Sequence, residues 1–172
     1  MTGDSSIRGR IRDPGGQRAD ILAPVIHETT VRVRYGEVDR MGVVYHANYL
    51  PYFEVGRTEF LRSLGTDYRA VEDAGTLLVV ADAGLKFLRP AGYDDVLRIR
   101  TRLAEVSGVR LRFEYEVDRP SDATVVATGH TTLASCDPGG RPTRIPAAMR
   151  TLLDRVVSQP SSGKDQSARS VR

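Results

Sequence analysis

Apolar and charged residues alternate along two neighbouring segments of the chain, 95–106 and 109–118. A period of two is typical of strands that bury one face and expose the other to solvent. The dipeptide Ser107-Gly108 separates the two segments, and glycine adopts a positive φ without steric cost. We therefore predict an antiparallel hairpin with a three-residue loop over 106–108.

The loop length sets which residues face each other across this hairpin. Facing residues of an antiparallel pair point to the same side of the sheet. The two apolar faces coincide only when paired residue numbers add up to an even number, and a one-residue slip would bury arginines. The three-residue loop pairs Leu103 with Leu111 and Ile99 with Tyr115. On the charged face it sets Arg100 opposite Glu114 and Arg98 opposite Glu116.

A long helix is predicted over 48–64, where apolar residues recur at helical spacing. Pro51 fits only the first turn of this helix, and Gly65 is a natural stop after the last turn. Gly56 weakens the helix by about 1 kcal/mol relative to alanine, and its missing side chain would allow a strand to approach closely. The apolar residues near one face of the helix are Phe53, Phe60, Leu61 and Leu64.

The order of elements predicts the fold class. One strand, a long helix and then several antiparallel strands leave one face of a sheet to be covered, and the long helix is the natural cover. This is an α+β arrangement. The remaining strands are predicted at 29–35, 76–81, 84–89 and 124–136, and the remaining helices at 67–74 and 145–157.

The 172 residues suit one domain with a tail at each end. Residues 1–26 are rich in glycine, serine, aspartate and arginine, and we expect a flexible leader there. Residues 158–172 have a similar polar composition and are expected to form a disordered tail. The compact domain is therefore predicted over 27–157.

The sequence indicates a cytoplasmic protein without stable membrane insertion. The first twenty residues contain no apolar stretch like that of a signal peptide, and the longest apolar runs, such as 77–81, are too short to span a bilayer. The single cysteine, Cys136, cannot form an internal disulfide, which agrees with a reducing compartment. Because Cys136 lies in a strand-like run, we interpret it as a packed thiol rather than a nucleophile.

The net charge of +3 comes almost entirely from arginine, since Lys86 and Lys164 are the only lysines. Arginine binds phosphate well because its planar group donates two hydrogen bonds at once, but a composition bias explains the excess equally well. A mild excess spread along the chain does not indicate a nucleic-acid-binding protein. The sequence also contains no phosphate-binding glycine loop, no serine-hydrolase elbow and no metal-binding cluster.

The segment 35–49, YGEVDRMGVVYHANY, carries the strongest candidate chemistry. A strand ends, a glycine-bounded loop presents Asp39, and the long helix begins just beyond. Backbone N–H groups at a helix start lack internal partners and favour negative charge. This arrangement suits acyl transfer, because the carboxylate can activate water or attack a carbonyl while the N–H groups stabilise the oxyanion. On spacing alone, Asp39 could equally be a turn former.

This segment and the following one, 53–62 (FEVGRTEFLR), resemble the signature of the 4-hydroxybenzoyl-CoA thioesterase family. Most similar is the branch of small bacterial acyl-CoA thioesterases associated with the Tol-Pal system. Segment 90–97, PAGYDDVL, is similar to the family's turn into its long strands. The resemblance extends over about residues 29–150. It implies a hotdog fold, in which a curved antiparallel sheet wraps around a long helix, and homodimers or homotetramers with active sites at the subunit interface.

The resemblance also implies a set of site residues. The family's catalytic carboxylate lies three residues before the glycine of a D-x-x-G motif, which here is Asp39. The motif's histidine matches His46, near the N–H groups of the oxyanion hole, where a role in orienting the loop is equally open. No metal and no cofactor are implied, apart from CoA as part of the substrate. The implied substrate-binding residues are Tyr35, Gly42, Val43, Tyr45, Ala47, Asn48 and Arg89.

The implied activity is hydrolysis of acyl-CoA, with Asp39 as general base on water or as nucleophile. Arg89, Arg110 and Arg112 are candidates for the CoA phosphates, although a solvated sheet face explains the last two more simply. Two alternatives stay open: a thioesterase acting on acyl carrier protein, and a non-catalytic hotdog module that binds acyl thioesters. Other polar residues are interpreted as structural or solvated: Glu37, Glu54, Glu59, His27 and His130.

Overall fold

The structure, a computed structural model, describes residues 26–157. The predicted leader, 1–26, and tail, 158–172, lie outside the described residues except for Ile26, which begins the first strand. None of the helices within the described range is both long and apolar enough to cross a membrane. The elements in chain order are β1 (Ile26–Arg32), α1 (Tyr49–Ser63), α2 (Tyr68–Asp73), β2 (Leu77–Phe87), β3 (Val96–Val106), β4 (Arg110–Arg119), β5 (Thr124–Cys136) and α3 (Ala147–Val157).

The five strands form one antiparallel sheet in the order β1-β3-β4-β5-β2, and α1 lies against one of its faces. Phe53, Phe60 and Leu61 of α1 are fully buried there. The ring of Phe53 stacks on Tyr115 of β4, with 4.3 Å between the ring centroids. These contacts confirm the predicted α+β class and the predicted buried face of the helix.

Gly56 allows β3 to approach α1 closely, as predicted. A Cβ atom at this position would lie 2.5 Å from Thr101 Oγ1 and 2.9 Å from Ile99 Cγ2. Both of these atoms are bonded directly to a strand Cβ, so they can move away only by a rotamer change inside the packed core or by a shift of the strand. The glycine therefore sets the distance between helix and sheet.

The hairpin of β3 and β4 has the predicted faces but not the predicted register. Leu103 pairs with Phe113, and Ile99 pairs with Val117. Each partner lies two residues further along β4 than predicted, so the pairings of Leu103 with Leu111 and of Ile99 with Tyr115 are wrong. The numbers of paired residues still add up to an even number, so the apolar residues of both strands lie on the same face of the sheet.

The turn and a bulge explain this register. Val106 pairs with Leu111, so the turn spans residues 107–110, and Gly108 does not adopt a positive φ. With this turn alone, the numbers of paired residues would add up to an odd number, and apolar residues would face charged ones across the hairpin. A bulge at Ala104 shifts the pairing by one residue and restores the even sum.

The pairing on the charged face of the hairpin is shifted in the same way, so the predicted ion pairs are wrong. Each arginine meets an acid two residues further along β4 than predicted. Arginines of β3 still meet acids of β4, because both series occupy alternate positions. One of the carboxylates is almost fully buried, with 4% of its side chain exposed. The observed pairs are Arg98 with Asp118 at 2.9 and 3.1 Å, Arg100 with Glu116 at 2.8 Å, and Arg102 with Glu114.

Two strand boundaries also differ from prediction. The segments 76–81 and 84–89 form one strand, β2, in which a bulge between Val80 and Asp82 breaks the alternation. β1 begins and ends three residues earlier than the predicted 29–35. The reason is that Tyr35 opens a 3-10 turn instead of continuing the strand.

Candidate active site

The loop that carries Asp39 is a tight hairpin between Val38 and Val44, which form a bridge. The N–H of Asp39 donates to the Val43 carbonyl at 2.9 Å, and the N–H of Gly42 donates to the Asp39 carbonyl at 2.9 Å. Gly42 has a φ of 76°, a conformation that glycine adopts far more readily than other residues. The D-x-x-G spacing thus folds into a closed four-residue turn.

The turn fixes the direction of the Asp39 side chain. Its Oδ1 accepts a hydrogen bond from the Met41 N–H at 2.8 Å, a local bond that aspartate forms readily in turns. Its Oδ2 has no hydrogen-bond partner among the described residues. The carboxylate is half-buried, so one oxygen orients the group and the other is available for chemistry.

The helix start lies directly after this loop. A 3-10 turn, His46–Asn48, runs without interruption into α1. The N–H of Asn48 donates to the Tyr45 carbonyl, but the N–H groups of His46 and Ala47 have no acceptor in the described part of the chain. Unpaired amides at the positive end of a helix can stabilise an oxyanion.

Asp39 and His46 line the same cleft, which has a volume of about 400 Å³. Val44 donates its N–H to the Ala91 carbonyl at 2.8 Å, and this bond holds the Asp39 loop against the opposite wall. That wall is formed by residues 87–91 and includes Arg89. Apart from Asp39, His46 and Arg89, the lining is apolar: Met41, Val43, Val44, Tyr49, Phe87, Leu88, Pro90 and Ala91.

The other residues predicted to bind substrate lie outside the cleft lining. Tyr35 packs edge-to-face against Tyr93 with 5.6 Å between centroids, in a separate groove. Asn48 donates from Nδ2 to the Glu37 carbonyl at 2.8 Å, so it holds the loop. Gly42, Tyr45 and Ala47 are exposed on the loop and helix start. Their predicted contacts with substrate, like the roles of all the site residues, stay predictions.

The His46 side chain is exposed and packs on aromatic rings. Its centroid lies 4.2 Å from that of Tyr45 and 6.5 Å from that of Phe87. The imidazole has no hydrogen-bond partner among residues 26–157. His46 therefore offers two polar groups near the cleft: its unpaired backbone N–H and its imidazole ring.

Glu37 is the residue that sequence reasoning missed, because it was interpreted as solvated. Its Oε2 accepts hydrogen bonds from the Arg34 N–H at 2.8 Å and from the Tyr52 hydroxyl at 2.9 Å. Burial and the neighbouring Glu37 carboxylate raise the pKa of Tyr52. A tyrosine on the buried side of the helix start, with a polar tip that needs a partner, was the signal available in the sequence.

The remaining candidates have structural contacts. Glu54 and Glu59 each approach an arginine on α1, and His130 contacts Asp82 at 2.9 Å on the sheet face opposite the helix. Cys136 is buried and free. Within residues 26–157 no group of three His, Cys, Asp or Glu side chains could hold a metal ion.

Comparisons with known proteins agree with this fold. A family model described as the thioesterase-like superfamily matches residues 33–153, which is well over half of the chain. The crystal structure of a hypothetical protein, TT1821 from Thermus thermophilus, is similar with a TM-score of 0.71 and 39% sequence identity. That match covers 75% of this chain and 98% of the other.

Two curated relatives are thioesterases by name. The acyl-CoA thioesterase YbgC of Haemophilus influenzae is 34% identical over 126 residues, which cover 71% of this chain and 93% of the relative. The chloroplastic acyl-acyl carrier protein thioesterase ATL2 of Arabidopsis thaliana is 32% identical over 133 residues, covering 77% and 71%. The chain therefore belongs to the thioesterase-like superfamily and is a thioesterase with the hotdog fold.

Proposed function

We propose that this thioesterase hydrolyses acyl-CoA to a carboxylic acid and CoA, with Asp39 as the catalytic carboxylate. The proposal depends on one observation: the Asp39 side chain, with its free Oδ2, lines the same cleft as the helix start at His46. The similarity to the acyl-CoA thioesterase YbgC supports the substrate class. CoA takes part as a portion of the substrate, and the proposed reaction uses no other cofactor.

The chemistry needs few groups, because a thioester is already activated and its thiolate leaves readily. As general base, Asp39 takes a proton from water, and the water oxygen attacks the thioester carbon. The unpaired amides at the helix start stabilise the tetrahedral oxyanion. The C–S bond then breaks, and the departing thiolate accepts the proton from the Asp39 carboxyl group.

Asp39 can also act as a nucleophile at the same position. Oδ2 then attacks the thioester carbon directly, the thiolate leaves, and water hydrolyses the resulting mixed anhydride. Both routes use the oxygen that has no hydrogen-bond partner among the described residues. The apolar walls of the cleft would exclude bulk water and receive the acyl group next to the carbonyl.

Within the superfamily, we further propose that the chain belongs with the 4-hydroxybenzoyl-CoA thioesterases, in the bacterial branch associated with the Tol-Pal system. The support is the motif in segment 35–49 together with the similarity to YbgC. Arg89 on the cleft lining is the proposed contact for a CoA phosphate, since an exposed guanidinium can bind phosphate with two hydrogen bonds.

Acyl carrier protein is a second candidate for the group that carries the acyl chain. The named substrate of ATL2, which is 32% identical to this chain, favours it. A carrier protein would need a docking surface rather than a nucleotide site, and the arginine-rich composition would suit an acidic partner as well as it suits phosphates. The roles of Asp39 and of the helix start would not change.

We further propose a homodimer formed along β2, with a tetramer as the next level of assembly. Among residues 26–157, β2 is an edge strand of the sheet and pairs only with β5. Val80 faces the same side as the fully buried Leu133, yet it is 45% exposed. Phe87, at the end of the same strand, is 52% exposed and lines the cleft. A second copy along β2 would cover both side chains and lie beside the active site.

The proposed location is the cytoplasm. The buried free thiol of Cys136 is compatible with a reducing compartment, and the proposed substrates carry acyl groups on CoA or on a carrier protein. A nucleic acid is not a proposed partner, because the β3 arginines on the sheet face, Arg98, Arg100 and Arg102, are paired with carboxylates.

A thiol-release assay on purified protein tests the substrate class. Short, long and aromatic acyl-CoAs are compared with an acylated carrier protein at equal concentration. We expect turnover of at least one acyl-CoA. Turnover of the acylated carrier protein together with none of the acyl-CoAs would overturn the CoA assignment and favour the second candidate.

A further inference from the structure

Four hydrogen bonds converge on Glu37, from groups on both sides of the Asp39 loop. Its side-chain Oε2 accepts from the Arg34 N–H at 2.8 Å and from the Tyr52 hydroxyl at 2.9 Å. Its backbone carbonyl accepts from the Tyr45 N–H at 2.9 Å and from Asn48 Nδ2 at 2.8 Å. The two bonds to Oε2 depend on the glutamate side chain, and a fully solvated side chain would not make them.

Three of the four donors, Tyr45, Asn48 and Tyr52, lie at the helix start, whereas the Arg34 bond is local to the turn that ends in Glu37. Tyr45 directly precedes His46 and Ala47, the residues with unpaired amides, and Tyr52 lies in the first turns of α1. Glu37 ends the 3-10 turn directly before the Val38–Val44 hairpin, and Asp39 follows it by two residues. Glu37 therefore links the start of the Asp39 hairpin to the helix start, through its backbone carbonyl and through its side chain.

The Tyr52 contact is the firmest of these links. Tyr52 is 4% exposed, and its ring packs edge-to-face against Tyr49 with 5.8 Å between centroids. The phenol is thus held by the core, and its hydroxyl reaches the loop at one point only. Hydrogen bonds to a charged acceptor are stronger than those between neutral groups, so this bond resists rotation of the loop away from the helix.

Glu37 does not act on the substrate itself. It is absent from the lining of the cleft that contains Asp39 and His46, and it lines the groove on the other side of the loop. An effect of Glu37 on the reaction must therefore pass through the position of the loop.

We propose that Glu37, together with the Tyr52 hydroxyl, is a positioning residue that fixes the Asp39 carboxylate relative to the amides of His46 and Ala47. This inference rests on the proposed function of Asp39. A misplacement of about 1 Å in a catalytic group can cost about a hundredfold in rate. The bonds to Glu37 are of the type that prevents such a shift.

The test compares four variants with the wild type on an acyl-CoA that the enzyme hydrolyses: Glu37→Ala, Glu37→Gln, Tyr52→Phe and, as a matched control, Glu72→Ala on the exposed side of α2. We measure kcat and KM separately and follow thermal unfolding. Glu37→Ala should lower kcat about a hundredfold with little change in KM. Tyr52→Phe should lower kcat by a smaller factor, and Glu72→Ala should match the wild type.

The Glu37→Gln variant shows whether Glu37 acts through its hydrogen bonds, which position the loop, or through its negative charge. Its amide oxygen can still accept from the Tyr52 hydroxyl and from the Arg34 N–H, so the positioning account predicts that it restores most of kcat. A kcat as low as that of Glu37→Ala would overturn the proposal. Wild-type kcat in both Glu37→Ala and Tyr52→Phe would overturn it as well. If Glu37→Ala does not fold, Tyr52→Phe, which loses only one hydroxyl, decides the matter.

A parallel Asp39→Asn variant separates this inference from the proposed function. An inactive Asp39→Asn beside fully active Glu37 and Tyr52 variants would remove the positioning role alone. A fully active Asp39→Asn would remove the proposed function, and the positioning role with it.

Discussion

At the residue scale, a buried polar contact between Arg57 and Tyr68 joins α1 to α2. Arg57 is 8% exposed, and its Nε donates to the Tyr68 hydroxyl at 3.1 Å. Burial raises the pKa of Tyr68 to about 12, against the lowering effect of Arg57. The phenol is therefore held in its neutral form well above the pH at which an exposed tyrosine ionises, about 10.

This shift predicts how stability depends on alkaline pH. Above about pH 10 the unfolded chain loses the Tyr68 proton while the folded chain keeps it. The stability due to Tyr68 is thus present below that pH and is lost as the pH rises toward about 12. The free energy of unfolding of Tyr68→Phe, measured by urea titration, should be lower at neutral pH, because the Arg57 Nε loses its hydrogen-bond acceptor. Its decline between pH 10 and 12 should be shallower; parallel curves for the two proteins would contradict the assignment.

The residues of the site differ in how far the sequence could predict them. The placement of Asp39 on a turn directly before the helix start was predictable, because the turn chemistry and the helix start are both local features of segment 35–49. Its catalytic role stays a prediction. The contacts of Glu37 were not predictable, since its bond to Tyr52 spans 15 residues and depends on how the loop folds onto the helix. Tyr35 lies outside the cleft for a similar reason, because its ring packs against the distant residue Tyr93 in the neighbouring groove.

At the scale of elements, the packing of α1 against β3 depends on a glycine. No side chain separates the two backbones at Gly56, and the Oγ1 of Thr101 occupies the space that a Cβ would need. That oxygen is buried and has no hydrogen-bond partner among the described residues. The close approach therefore costs stability, because it leaves the Thr101 hydroxyl buried without a partner. Burial of Phe53 and Phe60, on either side of the glycine, offsets this cost.

Gly56→Ala should destabilise the protein although alanine favours helices. The helix gains about 1 kcal/mol from the substitution, but overpacking of a close-packed core costs about 1–3 kcal/mol, and a Cβ contact of 2.5 Å lies at the severe end. We expect a net loss of about 1–2 kcal/mol in the free energy of unfolding. Gly108→Ala is the control, because a Cβ there meets no atom within 4 Å. Equal stability of the two variants would refute the packing argument.

In the strands, the alternation of apolar and charged residues predicts which face is buried but not which residues pair. The period of two assigned Leu103 and Ile99 to the buried face correctly, because burial is a property of each strand alone. The pairing itself depends on the turn over 107–110 and on the bulge at Ala104, and no local pattern in the sequence marks either one. The bulge within β2 was missed for the same reason and divided one strand into two predictions.

At the scale of the whole molecule, the open edge of the sheet determines the proposed assembly. β2 is 11 residues long and its core-facing side is not covered by α1 near Val80. A long apolar edge strand invites pairing with another strand, and soluble proteins usually protect such edges. A second copy would protect this one and bring its own residues close to Phe87 at the cleft.

A charge placed on this edge should separate the subunits. Val80→Lys introduces a cation where two apolar surfaces would meet, while Val157→Lys alters an equally exposed valine on α3. Light scattering coupled to size-exclusion chromatography should show a smaller particle for Val80→Lys only. Its specific activity should fall on dilution, because the active site adjoins the interface. Identical masses for both variants and the wild type would exclude β2 as the contact.

The central claim is that the Asp39 carboxylate carries out the chemistry on a thioester bound beside the helix start. The most direct test is the rate of thiol release by Asp39→Asn, with the affinity for a non-hydrolysable thioether analogue of the substrate measured on the same sample. Asparagine keeps the size and the Met41 hydrogen bond of the side chain but cannot accept a proton or attack a carbonyl. We predict wild-type affinity for the analogue and a rate lower by about a hundredfold or more. A rate within about twofold of the wild type, less than the typical effect of a general base, would contradict the account.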